Sequence, residues 1–421
     1  MNPPLIALTL AGLSLAYATF WLGAFDPYRF TLTAAGITAA ALLVFFTSKP
    51  QDRAHPIPAW AFIPICLIPL YLAFQLIPLP VSLLASLSPR SAELATWLGL
   101  SSASLSIAPN ASLAFTFRIL TAMVLFFLIR EIAWDRRWIA ILPVIGVALL
   151  EAILGLLQAS SSVLVVGTYV NRNHYAFLMA MALPFAIMAG VALMRDSTTQ
   201  RATTASALFA TAAVLLGATI FSLSRGGFLS VLISLFLLAV LNLQKRLRTV
   251  GFMLLVVAFV GLFVFLPVTE LVLRFAEISD EASSDLNNGA RHLVWKDSMP
   301  VIRDFPLFGT GLGGYETAVR RGQQTALQHN IAYAHNEYIQ FLAELGIVGI
   351  SLFLIPIAWI FTVLIRNIED PMAKAGVASA TAMLLHCIVD FNLQVPANLL
   401  AVAWVAGFCA SLLPSNLPRR N

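Results

Sequence analysis

Long, unbroken apolar runs constrain this chain more than any other feature. About twelve runs of roughly 18–25 residues are found. They lie near 4–24, 30–47, 57–79, 113–130, 138–157, 173–194, 203–222, 226–243, 250–268, 339–365, 373–390 and 396–413. A run of this length crosses a bilayer as a helix, because lipid offers no partner for exposed backbone N–H and C=O groups. Of the 421 residues, 59% are hydrophobic and only 11% charged. Soluble domains carry about 25% charged residues. A soluble enzyme, a disordered scaffold and a secreted disulfide framework are therefore excluded. The runs are continuous rather than alternating, which argues against a transmembrane barrel. The expectation is an all-α polytopic membrane protein.

Ala16-Tyr17-Ala18 looks like a leader-cleavage site, but the first basic residue is Arg29, so the first run is read as a retained helix. Cys66, Cys387 and Cys409 sit in apolar segments without metal or redox spacing and are read as buried filler.

The basic residues sort by membrane face. Lys49, Arg53, Arg130, Arg136, Arg137, Arg195, Arg201, Lys245, Arg246, Arg248, Arg366, Lys374, Arg419 and Arg420 all fall on one side of the predicted spans. By the positive-inside rule that side is cytoplasmic, with both termini inside. The excess of Lys and Arg (25) over Asp and Glu (20) is thus a topology signal rather than a nucleic-acid footprint. Three parts are expected along the chain. Residues 1–268 form nine spans with an outer loop at 80–112, residues 269–338 form a large outer loop, and residues 339–421 form three spans and a tail. The large loop contains Trp295, Phe305, Phe308 and Tyr315, which a disordered tether would lack. A helix over about 290–303 is predicted there, with Val294, Trp295 and Val301 as apolar contacts.

Arg118, Arg172 and Arg225 lie at or just inside the outer ends of spans, and Glu151, Glu344, His386 and Asp390 share the outer half. His386 and Asp390, four apart, are expected on one helix face. Ionisable groups at this depth are costly unless paired or facing a wet cavity. The bland reading is snorkelling and structural ion pairs. The functional reading is an outward-facing polar cavity that binds a phosphorylated lipid. Guanidinium forks match phosphate oxygens, and apolar spans accommodate a lipid tail.

These residues fall in ordered motifs: Asn171-Arg-Asn-His-Tyr-Ala176, Leu223-Ser-Arg-Gly-Gly227, Gly289-Ala-Arg-His-Leu-Val-Trp-Lys-Asp297, Phe305-Pro-Leu-Phe-Gly-Thr-Gly-Leu-Gly313, Ala334-His-Asn-Glu-Tyr-Ile-Gln340 and Ala343-Glu-Leu-Gly-Ile-Val-Gly349. The set, with Gln75-Leu-Ile-Pro-Leu-Pro80, resembles the O-antigen ligase and O-antigen polymerase superfamily. The resemblance implies a multispanning, type-C glycosyltransferase-like fold in a bacterial inner membrane, with the active site facing the periplasm. It implies an undecaprenyl-diphosphate-linked glycan as donor and, for a ligase, the lipid A-core as acceptor. It also implies metal-independent chemistry with no cofactor. By position, Arg172, Arg225 and Arg291 resemble diphosphate-binding residues, and His335 resembles the catalytic histidine. Tyr333 stands where many relatives carry another polar residue or histidine.

The chemistry suits these residues. Displacement at an anomeric carbon adds negative charge to a departing diphosphate, which fixed cations stabilise. The attacking hydroxyl needs a base or a strong acceptor, and an imidazole accepts a proton near neutral pH. His335 is thus expected to activate the acceptor hydroxyl, with inversion, or else to contact the diphosphate. Glu337 is an alternative base or a partner for a ring nitrogen of His335. Arg118, His174 and Asn336 are supporting candidates.

Gly309-Thr-Gly-Leu-Gly-Gly314 fits a dinucleotide fingerprint formally but lacks the preceding strand, so a close-packed turn is expected. A zinc site from His292, His329 and His335 has no supporting ligand spacing. Polymerases and protein O-oligosaccharyltransferases would use the same donor chemistry. A secondary transporter of an anionic or lipid-linked glycan is the reading from a different class, but such transporters show internal symmetry and a midplane site.

Overall fold

The computed structural model describes residues 2–48, 54–159, 165–194, 198–243, 288–322 and 331–412. The predicted span at 250–268, together with Arg274 and His329, lies outside the described residues. In chain order the described helices are α1 (Pro3–Phe20), α2 (Pro27–Thr47), α3 (Ala59–Leu76), α4 (Val81–Leu87), α5 (Pro89–Trp97), α6 (Pro109–Ala140), α7 (Leu142–Ala159), α8 (Arg172–Leu193), α9 (Thr199–Phe221), α10 (Arg225–Asn242), α11 (Asn288–Asp304), α12 (Tyr315–Gly322), α13 (Glu337–Arg366), α14 (Pro371–His386) and α15 (Pro396–Ala410). Among them nine are long and apolar enough to cross a membrane: α1, α2, α3, α6 to α10 and α13. The chain is an all-α, multi-pass membrane protein. Large apolar side chains such as Leu13, Phe45, Phe46 and Leu70 are exposed, as expected of residues that face lipid.

The last two predicted spans are shorter than expected. α14 has 16 residues and ends at His386; α15 has 15 and begins at Pro396. Between them the chain turns through a 3-10 segment at Asn392–Gln394. Asp390 therefore lies past the end of α14, not on one helix face with His386. The predicted break after Arg130 also moves. α6 runs on for 32 residues, with non-helical φ/ψ only at Arg136, so Arg130 and Arg137 are helical.

Two compact units are present. The first comprises Met1–Val144, Gly289–Arg366 and Cys387–Asn421; the second comprises Ile145–Asn288 and Asn367–His386.

In the second unit α8 packs on α9, α10 and α14. Every residue of α8 from His174 to Ala186 is buried. A helix that is apolar on all faces fits only where neighbours surround it, and α8 is that helix.

In the first unit α15 packs on α6 and α13 packs on α3. The 80–112 loop is folded. α4 and α5 close over Leu84, Ala92, Ala95 and Leu105, and a two-residue antiparallel ladder pairs Leu79 with Ala103 and Pro80 with Ser102. The predicted helix near 290–303 is α11, with Val294 and Val301 buried.

The most consequential local feature is a break in α13 at Gly346, where φ is 61° and ψ −175°. The remaining stretch from Ile347 to Arg366 is about 20 residues, enough for roughly 30 Å of hydrocarbon. A broken helix in a membrane protein must recover its lost hydrogen bonds. Here the 306–311 segment, which includes the start of the glycine motif, supplies them. Thr310 N donates to Ala343 O (2.9 Å) and Gly311 N to Glu344 O (3.0 Å), while Ile347 N donates to Pro306 O (3.0 Å). Gln75 completes the junction: its Nε2 donates to Phe308 O (2.7 Å) and Glu344 O (3.1 Å), and its Oε1 accepts from Leu312 N (3.2 Å). The glycine motif is thus a close-packed turn. At Gly309 φ is +71°, and an added Cβ would lie 2.2 Å from Glu344 O. Gly309→Ala is expected to destabilise the protein by about 4 kcal/mol or more, since backbone cannot yield as a side-chain tip can. Thermal unfolding in detergent checks this; an unchanged midpoint would show that the loop is not seated in the break.

Candidate active site

The second unit holds two of the sequence-predicted arginines, each on the first turn of a helix. Arg172 opens α8 and Arg225 opens α10. Their motifs are N-capping sequences. The Asn171 side chain accepts from Asn173 N (2.7 Å), and Ser224 Oγ accepts from Gly227 N (3.2 Å). Such caps satisfy the orphan N–H groups that every helix start carries. The two starts are also tied together: Ser224 Oγ donates to Asn173 Oδ1 at 2.7 Å. Gly227 permits the close approach, because a Cβ there would come 2.5 Å from the Ala176 Cβ. Arg225 is exposed and Arg172 half-buried.

The chain entering α8 is pinned from α7. Glu151, buried, accepts from Thr168 N (2.9 Å) and Thr168 Oγ1 (2.5 Å). Gln158 Oε1 accepts from Val166 N (3.0 Å) and Gly167 N (2.9 Å). Glu151, grouped by sequence with an outward cavity, is thus engaged with the loop that delivers Arg172. His174 is buried in the first turn of α8. This unit therefore offers two guanidinium charges beside two tied helix N-termini, whose dipoles favour anions. Ser224→Ala should remove both the cap and the tie. A loss of about 1–2 kcal/mol in thermal stability is expected, with weakened transfer activity. Wild-type stability and transfer in that variant would mean that the tie is dispensable.

The first unit holds the others. His335 sits just before α13 in left-handed backbone conformation, φ +49°. That region costs a non-glycine residue about 1–2 kcal/mol. Asn336 is the cap of α13; its Oδ1 accepts from Tyr338 N (2.9 Å) and Ile339 N (3.1 Å). The ring of His335 meets the edge of Phe391 at 4.8 Å, and Tyr333 stacks on Phe391 at 4.2 Å. The carboxylate beside the imidazole is Asp390: Nδ1 of His335 is 3.6 Å from Asp390 Oδ1. That separation is electrostatic pairing, longer than a formed hydrogen bond. Arg291 reaches the same carboxylate at 3.9 Å and donates from Nη1 to Val389 O at 2.6 Å. Asp390 thus bridges Arg291 and His335, and its side chain is 1% exposed.

Glu337 is committed elsewhere. Its oxygens accept from Leu393 N and from Gln394 Nε2, and its own N–H donates to Cys387 O at 2.9 Å. It anchors the Asn392–Gln394 turn rather than a ring nitrogen of His335. Arg118, on α6, lies over the Phe115 ring at 4.5 Å. Burial pushes the Tyr333 hydroxyl above the ordinary phenol range, and the charge of Arg118 draws it part of the way back. Tyr333 is therefore a neutral hydroxyl.

Asp390, grouped by sequence only with the outer-half polar residues, is the partner of His335 that sequence reasoning did not assign. Its signal was present, a carboxylate in an otherwise apolar stretch, but nothing local connects it to His335, 55 positions earlier. Among the described residues no three or more His, Cys, Asp or Glu side chains stand together as a metal would require.

The comparisons with known proteins bear on this arrangement. Residues 210–354 match the family model described as O-antigen ligase. A search of curated proteins gives no match. The matched segment carries Ser224, Arg225, α11 with Arg291, the glycine turn, His335 and the break in α13. On that match, residues 210–354 are similar to the O-antigen ligase family, and the similarity spans residues from both parts of the candidate site.

Proposed function

We propose that the protein is an O-antigen ligase that transfers glycan from an undecaprenyl-diphosphate donor to a lipid A-core hydroxyl at the periplasmic face of a bacterial inner membrane, with both termini cytoplasmic. The family match supports a transferase acting on lipid-linked glycan. The observation that carries the donor assignment is the Ser224–Asn173 hydrogen bond, which brings Arg172 and Arg225 to neighbouring helix starts. Two forked cations on two dipoles suit a diphosphate rather than a single carboxylate.

The step is a displacement. The acceptor oxygen forms a bond to the anomeric carbon as the bond from that carbon to the diphosphate oxygen breaks. The electron pair leaves with the diphosphate, where Arg172 and Arg225 stabilise the added charge, with Arg291 the third cation assigned to it. The hydroxyl proton goes to Nε2 of His335. Asp390 beside Nδ1 favours the tautomer that carries its proton there, which leaves the Nε2 lone pair free. Asp390 also stabilises the imidazolium that results.

Reconstitution of the full chain in liposomes with the diphosphate-linked glycan and separate acceptors tests the reading. Glycan on the lipid A-core is the expected product. Chain lengthening on undecaprenyl would make the protein a polymerase, and glycan on protein a protein transferase. Glycan crossing the bilayer without any new bond would overturn the transferase reading.

A further inference from the structure

His335 holds a left-handed backbone conformation that a residue with a side chain rarely adopts unaided. The residue immediately before it is held at both of its backbone polar groups. Ala334 N donates to Gln340 Oε1 at 2.7 Å, and Ala334 O accepts from the Trp295 indole Nε1 at 2.9 Å. Gln340 has its own orientation set. Its Nε2 donates to Glu344 Oε1 at 2.8 Å, so the amide oxygen is turned toward Ala334. Ala334, Gln340 and Glu344 are all buried, so the bonds among these three are shielded from water, and the Trp295 bond is part-buried.

We propose that Trp295 and Gln340 are positioning residues for the transfer reaction. They form a clamp on the backbone of Ala334, one bond on each of its two flanking peptides, that sets the direction in which the His335 imidazole projects. Neither side chain is required to touch substrate. The clamp gives functional content to two motifs. Trp295 comes from the Arg-His-Leu-Val-Trp stretch of α11, and Gln340 stands one turn into α13 from the His-Asn pair. The remaining anchor is the backbone of Glu344, which the glycine turn holds through Gly311 N. The strained peptide is thus tied to the break in α13. Strained backbone that its surroundings over-determine is a recurring feature of reactive sites.

The inference rests on His335 being the reacting group, so its test includes that residue. The full-length protein in liposomes is assayed with undecaprenyl-diphosphate glycan and lipid A-core. Trp295→Phe keeps the ring but removes the donor, and Gln340→Met keeps the length but removes the acceptor. Each is expected to lower kcat about tenfold with donor KM within about twofold, as for a displaced catalytic group. Gln340→Glu retains an oxygen for Ala334 N–H but faces Glu344 Oε1 with a second carboxylate. It is therefore paired with Glu344→Gln, which restores an amide–carboxylate bond with the donor reversed. This double variant should recover most of the loss. If Trp295→Phe does not accumulate in the membrane, the two Gln340 variants carry the comparison. Wild-type kcat in Gln340→Met, or parallel loss of kcat, donor binding and thermal stability without rescue by the Gln340→Glu, Glu344→Gln double variant, would overturn the clamp. His335→Ala separates the two failures. If it is inactive while the clamp variants are normal, only the clamp falls. If it transfers normally, the reading of His335 falls and takes the clamp with it.

Discussion

His335→Ala is expected to abolish glycan transfer while leaving donor-lipid binding within about twofold of wild type. Removal of a general base costs roughly 10²–10⁴-fold, and the two acid–base side chains nearest in sequence are engaged elsewhere. Glu337, two residues on, spends its carboxylate on Leu393 N and Gln394 Nε2. Tyr333 is a neutral hydroxyl stacked on Phe391. His335→Asn is the better-folded control, because asparagine tolerates the left-handed backbone that alanine does not. Asp390→Asn should fall between wild type and His335→Ala, at about a hundredfold loss. It keeps the shape but removes the charge that selects the tautomer, and it strips Arg291 of its ion-pair partner. Transfer is measured as lipid A-core glycan formed per time in liposomes, and donor binding by cosedimentation. A His335→Ala protein that transfers at the wild-type rate would end the base assignment.

Most of the architecture could be read from the chain because membrane helices are specified locally. An apolar run must bury its surface or turn it to bilayer lipid, and its backbone closes on itself. The helix over 288–304 was legible for a similar reason: Val294 and Val301 recur at helical spacing and are buried. The arginine motifs were legible as chemistry but not as structure. Asn171, Ser224 and Asn336 proved to be helix caps, so each motif pairs a charged or reactive residue with the residue that starts its helix.

What stayed hidden depends on bonds between distant positions. The break at Gly346 is invisible in a run that reads as one span from 339 to 365, because the compensating donors lie at Thr310 and Gly311. Asp390 reaches His335 only because α14 stops at His386 and the chain turns. A four-residue spacing on an assumed helix therefore misplaced it. Glu337 looked available for catalysis because its partners, Leu393 and Gln394, are more than fifty residues away. Periodicity reports the face that a residue occupies. It carries no information on which remote backbone group will need its hydrogen bond.

Arg172→Lys and Arg225→Lys are each expected to reduce transfer by about 10–100-fold, although the formal charge is conserved. The reason lies in the shape of the cation. A guanidinium offers a planar fork that can bond two phosphate oxygens at once, whereas an ammonium offers a compact, strongly hydrated point charge. Both arginines sit on the first turns of helices tied by the Ser224–Asn173 bond, so neither start can shift independently to bring a shorter fork-less group into place. The double Lys variant should lose less than the product of the single losses, because two cations on one leaving group share the same developing charge. Donor binding should weaken in step with kcat/KM if the pair holds the ground-state diphosphate. It should stay near wild type while kcat falls if the forks close only on the departing group. Arg201, on the opposite predicted face at the start of α9, serves as the control, and Arg201→Lys should be silent. Full activity in both single Lys variants would reduce Arg172 and Arg225 to helix-end charges with a structural role alone.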